Sequence, residues 1–285
     1  MLAALGCAWG LTMPLMRVAV STGAGPLGIV FWNQLVTLAV CLGLLAALRL
    51  PLRLRGHWGP VLAVTVFGTL LPGWIAFRTA AELPAGVRSV VIAIVPMFAL
   101  PMALALGAER WDPRRALGVA AGGAAAALLV APGANPGPPG MVLLALCGPL
   151  SYAVEANWIA SRGGARLHPF QLLAAASLLG TLASGPLALV FGEWVPLARP
   201  WGAPEWAILA SGLLNAFAYA GYVWLIAAAG AVFASQISYL VTATGMAWSM
   251  VLLGERYSLV VWAAAGLMLA GIALVRPAPP AAKDP

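Results

Sequence analysis

Apolar residues run along this chain in long stretches, and short clusters rich in Arg, Gly and Pro interrupt them. A helix that crosses a bilayer needs about 20 mostly apolar residues. Cutting at the polar clusters leaves ten such pieces, over residues 2–20, 26–48, 58–81, 86–106, 116–132, 139–160, 169–191, 205–227, 234–253 and 258–275. The pattern predicts an all-α polytopic membrane protein with ten transmembrane helices. Its fifth span is short and rich in Gly and Ala, which lets neighbouring helices approach closely. The stretch Ala131-Pro132-Gly133-Ala134-Asn135-Pro136-Gly137-Pro138-Pro139 cannot be helical, so it reads as an external linker. It divides the chain into a five-helix repeat over 1–132, a linker over 133–138, and a second repeat over 139–285 with a short tail.

One short passage occurs in both halves with different charge. Gly107-Ala108-Glu109-Arg110 and its continuation to Arg115 hold several arginines, whereas Leu253-Gly254-Glu255-Arg256-Tyr257-Ser258 holds one. Cytoplasmic loops keep Lys and Arg and external loops shed them, so the two copies are expected on opposite sides of the membrane. With the N-terminus inside, Arg49, Arg53, Arg55, Arg110, Arg114, Arg115, Arg162, Arg166, Arg276 and Lys283 fall in the cytoplasm. Arg17, Arg78, Arg88, Arg199 and Arg256 then fall outside, with Glu82, Glu193, Glu205 and Glu255. Both termini are thereby placed in the cytoplasm. An odd number of spans per half makes the two five-helix repeats inverted.

Composition closes off other classes. Of 285 residues, 62% are hydrophobic and 8% charged, against about 25% charged in soluble domains. The net charge of +7 is spread over loop clusters and makes no continuous basic surface for nucleic acid. Cys7, Cys41 and Cys147 lie in apolar runs and read as small apolar filler, not a disulfide framework. The first twenty residues lack a basic leader and a cleavage site, so they read as a retained first helix. His57 and His168 stand alone without acid or Cys partners at ligand spacing, and no nucleophile, phosphate-loop or dinucleotide motif accompanies them. Neither a metal, a cofactor nor an enzymatic reaction is expected.

Polar groups inside a membrane are costly, so each is a prompt for function. Asn215, Tyr219 and Tyr222 share a face of the eighth span, and Gln236, Tyr239 and Thr242 form a stripe on the ninth. In the sixth span Ser151, Glu155, Trp158 and Arg162 share a face with Tyr152 beside it; the third adds Trp74 and Arg78. Trp9 and Thr12 in the first span and Asn33 and Gln34 in the second complete the set. Converging aromatic and amide groups would stack a planar or apolar substrate and bond its polar end. The same groups would equally serve as hydrogen bonds between helices. Glu155 is placed to take a proton or hold a substrate amine, or to pair with Arg162 at the interface. Arg78 and Glu82 are spaced for an ion pair, and Glu109 and Glu255 read as acids at helix starts. Pro14, Pro72, Pro96, Pro101 and Pro186 are either compliant points or static kinks.

Several motifs carry a family resemblance. Trp9-Gly10 is followed by Arg17 near the end of the first span; Pro96, Glu109 and Gly118 follow in the fourth and fifth; Glu255 and Gly271 recur in the second half. The chain resembles the drug/metabolite transporter superfamily, in particular its ten-helix members with two EamA-type domains. Thr242 and Ala264 depart from Pro96 and Gly118 of the first half, and Asn33 stands where the family commonly has Arg. The resemblance implies a secondary transporter of the bacterial inner membrane, often an exporter of small metabolites. The weakly charged, aromatic interior favours a neutral or zwitterionic substrate, with amino acids or related compounds leading. Its partners would be the substrate, the lipid bilayer, and a proton or an exchanged substrate. A non-transporting scaffold or sensor partner is the alternative.

Overall fold

The computed structural model describes residues 1–52, 56–107, 110–131, 136–161, 167–196, 200–229 and 237–275. No strand occurs among them. Ten helical rods follow one another among the described residues. They are α1 Leu2–Ala19, α2 Pro26–Ala47, α3 Trp58–Ala80, α4 Ala85–Ala105, α5 Pro113–Val130, α6 Pro139–Ser161, α7 Pro169–Val190, α8 Ala203–Ala229, α9 Ile237–Leu253 and α10 Leu259–Val275. Six reach the length and hydropathy of a spanning helix: α1, α2, α3, α4, α6 up to Ile159, and α7. Tyr239–Leu253 and Leu259–Leu274 are shorter apolar helices.

Three departures from the expected pieces have local causes. The fifth helix begins at Pro113 and not near 116, because extended Asp112 accepts the Arg114 N–H at 2.8 Å and Pro113 needs no partner in the first turn. The fourth rod breaks at Ala93–Ile94, where the ring of Pro96 obstructs the carbonyl four residues earlier. The third rod carries a π-helical segment over Val64–Leu70, ahead of Pro72.

The packing exchanges partners between the halves. Helix α1 packs on α8 and α9, and its counterpart α6 packs on α3 and α4. Helix α2 packs on α8 as α7 packs on α3, while α2 with α7, α4 with α9, and α5 with α10 pair each helix with its own counterpart. A fold of two related units predicts this crossing of contacts; a bundle grown in sequence order does not. One buried apolar cluster joins α4, α5, α6, α9 and α10 through Val87, Leu129, Val142, Met246 and Met268. A second joins α1, α2, α3 and α8 through Ala19, Ile29, Phe77 and Ile208.

Burying apolar side chains does not drive helices together inside lipid, so close backbone approach matters more. A Cβ at Gly10 would lie 2.7 Å from the Gly245 nitrogen and 3.0 Å from the Thr244 carbonyl carbon, which fixes α1 against α9. Thr244 spans the same contact, its hydroxyl donating to the Gly6 carbonyl at 2.9 Å. At the other crossing, a Cβ on Gly271 would lie 2.8 Å from the Gly118 carbonyl and 3.3 Å from the Gly122 nitrogen. The glycines quoted from the two halves therefore meet each other between α5 and α10.

Two carboxylates from the second half cap helix starts in the first. Glu193, after α7, accepts the Leu27 N–H of α2 at 2.8 Å. Glu255, after α9, accepts the Ala85 and Gly86 N–H groups of α4 at 2.8 and 3.2 Å. Glu255 was expected at the start of its own following helix; it serves α4 instead, because α10 begins only at Leu259. The chemistry of an acid at a helix N-terminus holds, and the helix is a different one. The same reading of Glu109 lies outside the described residues.

Candidate functional site

Helix α6 lays its polar face on the π-helical segment of α3. In that segment the Leu71 N–H bonds the Val66 carbonyl, five residues back. Pro72, next in register, has no N–H to offer the Phe67 carbonyl. The Ser151 hydroxyl donates to that carbonyl at 2.9 Å, so α6 satisfies the group that the proline left open. One turn along, the Glu155 carboxylate lies flat on Gly68, where a Cβ would stand 2.5 to 2.7 Å from its atoms. A further turn along, Trp158 lies over Gly59, at 2.9 Å from a Cβ there. Ser151, Glu155 and Trp158 therefore share the α6 face toward α3. Arg162, the proposed partner of Glu155, lies outside the described residues. Among the described residues the Glu155 carboxylate has no hydrogen-bond or ion-pair partner.

The exchange-related contact, α1 with α8, is built from neutral groups. Trp9 donates its indole N–H to the Asn215 amide oxygen at 3.2 Å. Thr12 is buried and donates to the Trp9 carbonyl at 2.6 Å, so it braces α1 internally. On α8, Ser211 lies one turn from Asn215 and accepts from the Asn33 amide at 3.1 Å; Asn33 also reaches the Ile208 carbonyl at 3.3 Å. Next to it on α2, Gln34 donates to the Thr69 hydroxyl of the π-helical segment at 2.9 Å. Gln34 also fills the space over Gly180 of α7. Two neighbouring amides thus tie α2 to α8 and to α3, the helices that correspond between the halves.

The remaining residues expected to bind substrate are dispersed. Trp74 packs partly buried on the cluster around Ile29 and Phe77. Tyr219 packs on the cluster around Leu38 and Leu173, and Tyr239 on the one around Val90 and Met268. The side chain of Tyr222 and all of Gln236 lie outside the described residues. Trp9, Asn215 and Asn33 are thus joined through α8, and Tyr152, Glu155 and Trp158 through α6. A separate apolar cavity of about 280 Å³ at the α4–α5 junction, lined by Leu100, Pro101, Trp111 and Asp112 among others, shares no residue with either group.

The basic side chains include two surprises. Arg88 was expected on the outer side, as Arg78 and Glu82 were, yet it is 5% exposed. It donates to the Met13 carbonyl at 3.4 Å and to the Met16 sulfur at 2.9 Å, because the α4 start lies against α1. Arg17 binds the Ala80 and Leu83 carbonyls at 2.9 and 3.2 Å and so closes the free end of α3. The expected Arg78–Glu82 pair is present at 2.7 Å. Beside Glu255, Tyr257 donates its hydroxyl to the carboxylate at 2.6 Å. Burial, then that bond and the Glu255 charge, push the Tyr257 phenol above its ordinary range.

Sequence reasoning found the polar face of α6 but not its partner surface. A Gly and a Pro four apart, Gly68 and Pro72, were the available signal of an irregular turn inside a span. Metal-ligating clusters of His, Cys, Asp or Glu are absent among the described residues.

The EamA-like transporter family is matched by residues 1–131 and again by residues 140–276. No curated protein matches the chain. Chains of known structure do: one, titled only as the crystal structure of a protein, is 21% identical and superposes with a TM-score of 0.63. That likeness covers 96% of each chain and speaks to the fold alone.

Proposed function

The chain belongs to the EamA-like transporter family, and from that premise we propose that it is a secondary-active carrier of a small neutral or zwitterionic metabolite. The multi-pass membrane setting and a transporter role come with the family. Ten crossings in two inverted repeats, with both termini in the cytoplasm of a bacterial inner membrane, are our reading of the loop charges. The observation that carries the mechanism is the exchange of helix partners between the halves. Two units that swap equivalent contacts can tilt against each other and open a central path alternately to each side.

In this reading Trp9, Asn33 and Asn215, joined through α8, and Tyr152, Glu155 and Trp158, joined through α6, border the path, and Thr12, Trp74, Tyr219, Tyr222, Gln236 and Tyr239 are the further candidates for contact with the substrate. Amide and aromatic groups dominate, which supports an amino acid or related compound over a polyanion. Export is the direction the reading favours. Purified protein in vesicles loaded with labelled amino acids, nucleobases and cationic drugs tests it. Efflux of the zwitterionic class above empty vesicles is expected; absence of flux for every class would overturn the reading.

A further inference from the structure

We propose that Arg88 is a binding site for the carboxylate of a small metabolite, held between α1 and α4. The inference deepens the carrier reading and rests on it for the identity of the ligand. Its own ground is the setting of the guanidinium. Arg88 lies at the start of α4, within a spanning helix, and is 5% exposed. A guanidinium keeps its charge in proteins and presents five N–H donors. Among the described residues two of those donors have acceptors, and both acceptors are poor. The Met13 carbonyl stands at 3.4 Å, beyond the usual range, and the Met16 thioether at 2.9 Å accepts only weakly. A cation in the first turn of a helix also opposes the helix dipole, so helix stability does not explain the residue.

No carboxylate pairs with this charge among the described residues. Glu255 is the acid at the same helix start, yet its oxygens accept the Ala85 and Gly86 N–H groups and the Tyr257 hydroxyl. Glu82 pairs with Arg78, while Glu193 and Glu205 accept the Leu27 and Gly202 N–H groups. Asp112 caps α5, and Glu155 lies on Gly68. Glu109 and Asp284, outside the described residues, follow the opposite ends of α4 and α10 in the chain. A buried charge without a counter-ion is expensive, within a membrane above all. An arriving anion removes that cost. A carboxylate suits the position because its two oxygens match the planar fork of the guanidinium.

Helix α1 supplies a place for the rest of the ligand. Trp9, Met13 and Met16 follow at i, i+4 and i+7, so they share one face of that helix. Trp9 and Met13 pack on the same buried cluster, and Trp9 reaches Asn215 of α8. Seven residues of helix separate Trp9 from Met16 by about 10 Å along the axis. An amino acid bound through its carboxylate at Arg88 therefore extends its side chain along α1 toward the Trp9 indole. Apolar and aromatic amino acids fit that arrangement. Their carboxamides, alike in shape but without the negative charge, do not.

Two measurements on the purified full chain test this. In the first, vesicles are loaded with labelled leucine, phenylalanine and tryptophan, or with their carboxamides. Above protein-free vesicles, the wild type should release the acids at least about tenfold faster than the amides. Arg88→Gln should abolish that preference, and Arg88→Lys, which keeps the charge, should retain part of it. Equal release of acids and amides by the wild type, or an unchanged preference in Arg88→Gln, overturns the site and leaves the carrier intact. The second measurement needs no ligand. Arg88→Met removes an unpaired buried charge, so the variant should melt above the wild type in carboxylate-free buffer. A lower melting temperature would mean that the guanidinium braces Met13 and Met16, and would overturn the proposal. Absence of release of every compound by the wild type rejects the carrier reading, and the melting comparison then decides for Arg88 alone.

Discussion

The contacts α1–α8 and α6–α3 correspond between the halves, yet they are made of different chemistry. On the first, an indole N–H meets an amide oxygen at 3.2 Å. On the second, a serine serves an open carbonyl at 2.9 Å and an acid rests on glycine within a π-helical turn. Duplication has kept the scaffold of packed rods and let the polar groups diverge. The halves share a frame of packed rods, while Glu155 places a carboxyl on the α6–α3 contact.

The widest effect should come from breaking the frame. Gly10→Val would place a branched side chain where a Cβ is already 2.7 Å from the Gly245 nitrogen. Backbone cannot yield as a flexible side chain does, so a loss of about 1–3 kcal/mol is expected. Thermal unfolding in detergent checks it, and a melting temperature equal to the wild type would refute the close approach of α1 to α9.

A smaller pair of changes sets the two contacts against each other. Ser151→Ala leaves the Phe67 carbonyl without a donor inside the bundle, at a cost of about 1–3 kcal/mol. Trp9→Phe removes one N–H from the exposed Asn215 bond, at about 0.5–1.5 kcal/mol. Ser151→Ala should therefore lower the melting temperature more than Trp9→Phe. The reverse order would mean that the proline-freed carbonyl is not what α6 holds.

The finest test reads the caps. Burial and the Glu255 carboxylate together keep the Tyr257 phenol above its ordinary range. In Glu255→Gln the charge is gone, so Tyr257 should ionise at lower pH than in the wild type. Ultraviolet titration of the phenolate would show it; an unchanged midpoint would place Glu255 away from Tyr257. The start of α4 should fray as well, since Ala85 and Gly86 lose their acceptor.

Features with a short sequence reach were legible. Apolar runs marked where the rods lie, and Arg78 and Glu82, four apart, found each other as their spacing required. Gly118 and Gly271 carried a motif whose sense needed the fold, for their meeting joins residues far apart in the chain. Glu255 illustrates the limit. Its acid-at-a-helix-start chemistry was readable, but the helix it serves lies 170 residues upstream. The π-helical turn was hidden for a similar reason: Pro72 opens a carbonyl, and only the packing of α6 supplies the Ser151 hydroxyl that makes the opening tolerable. Twelve residues were expected to border one pathway. Long-range packing sorted those described into an α8 group, an α6 group and scattered core positions, which no local pattern encodes.

Mirror-oriented halves are the premise beneath every step, and single-cysteine labelling in a background lacking Cys7, Cys41 and Cys147 tests them most directly. Arg114→Cys follows α4 and Arg256→Cys follows α9, and both side chains are exposed. A membrane-impermeant thiol reagent added to intact cells should label position 256 and spare position 114 until the cells are opened. Equal labelling of both from the same side would contradict the account.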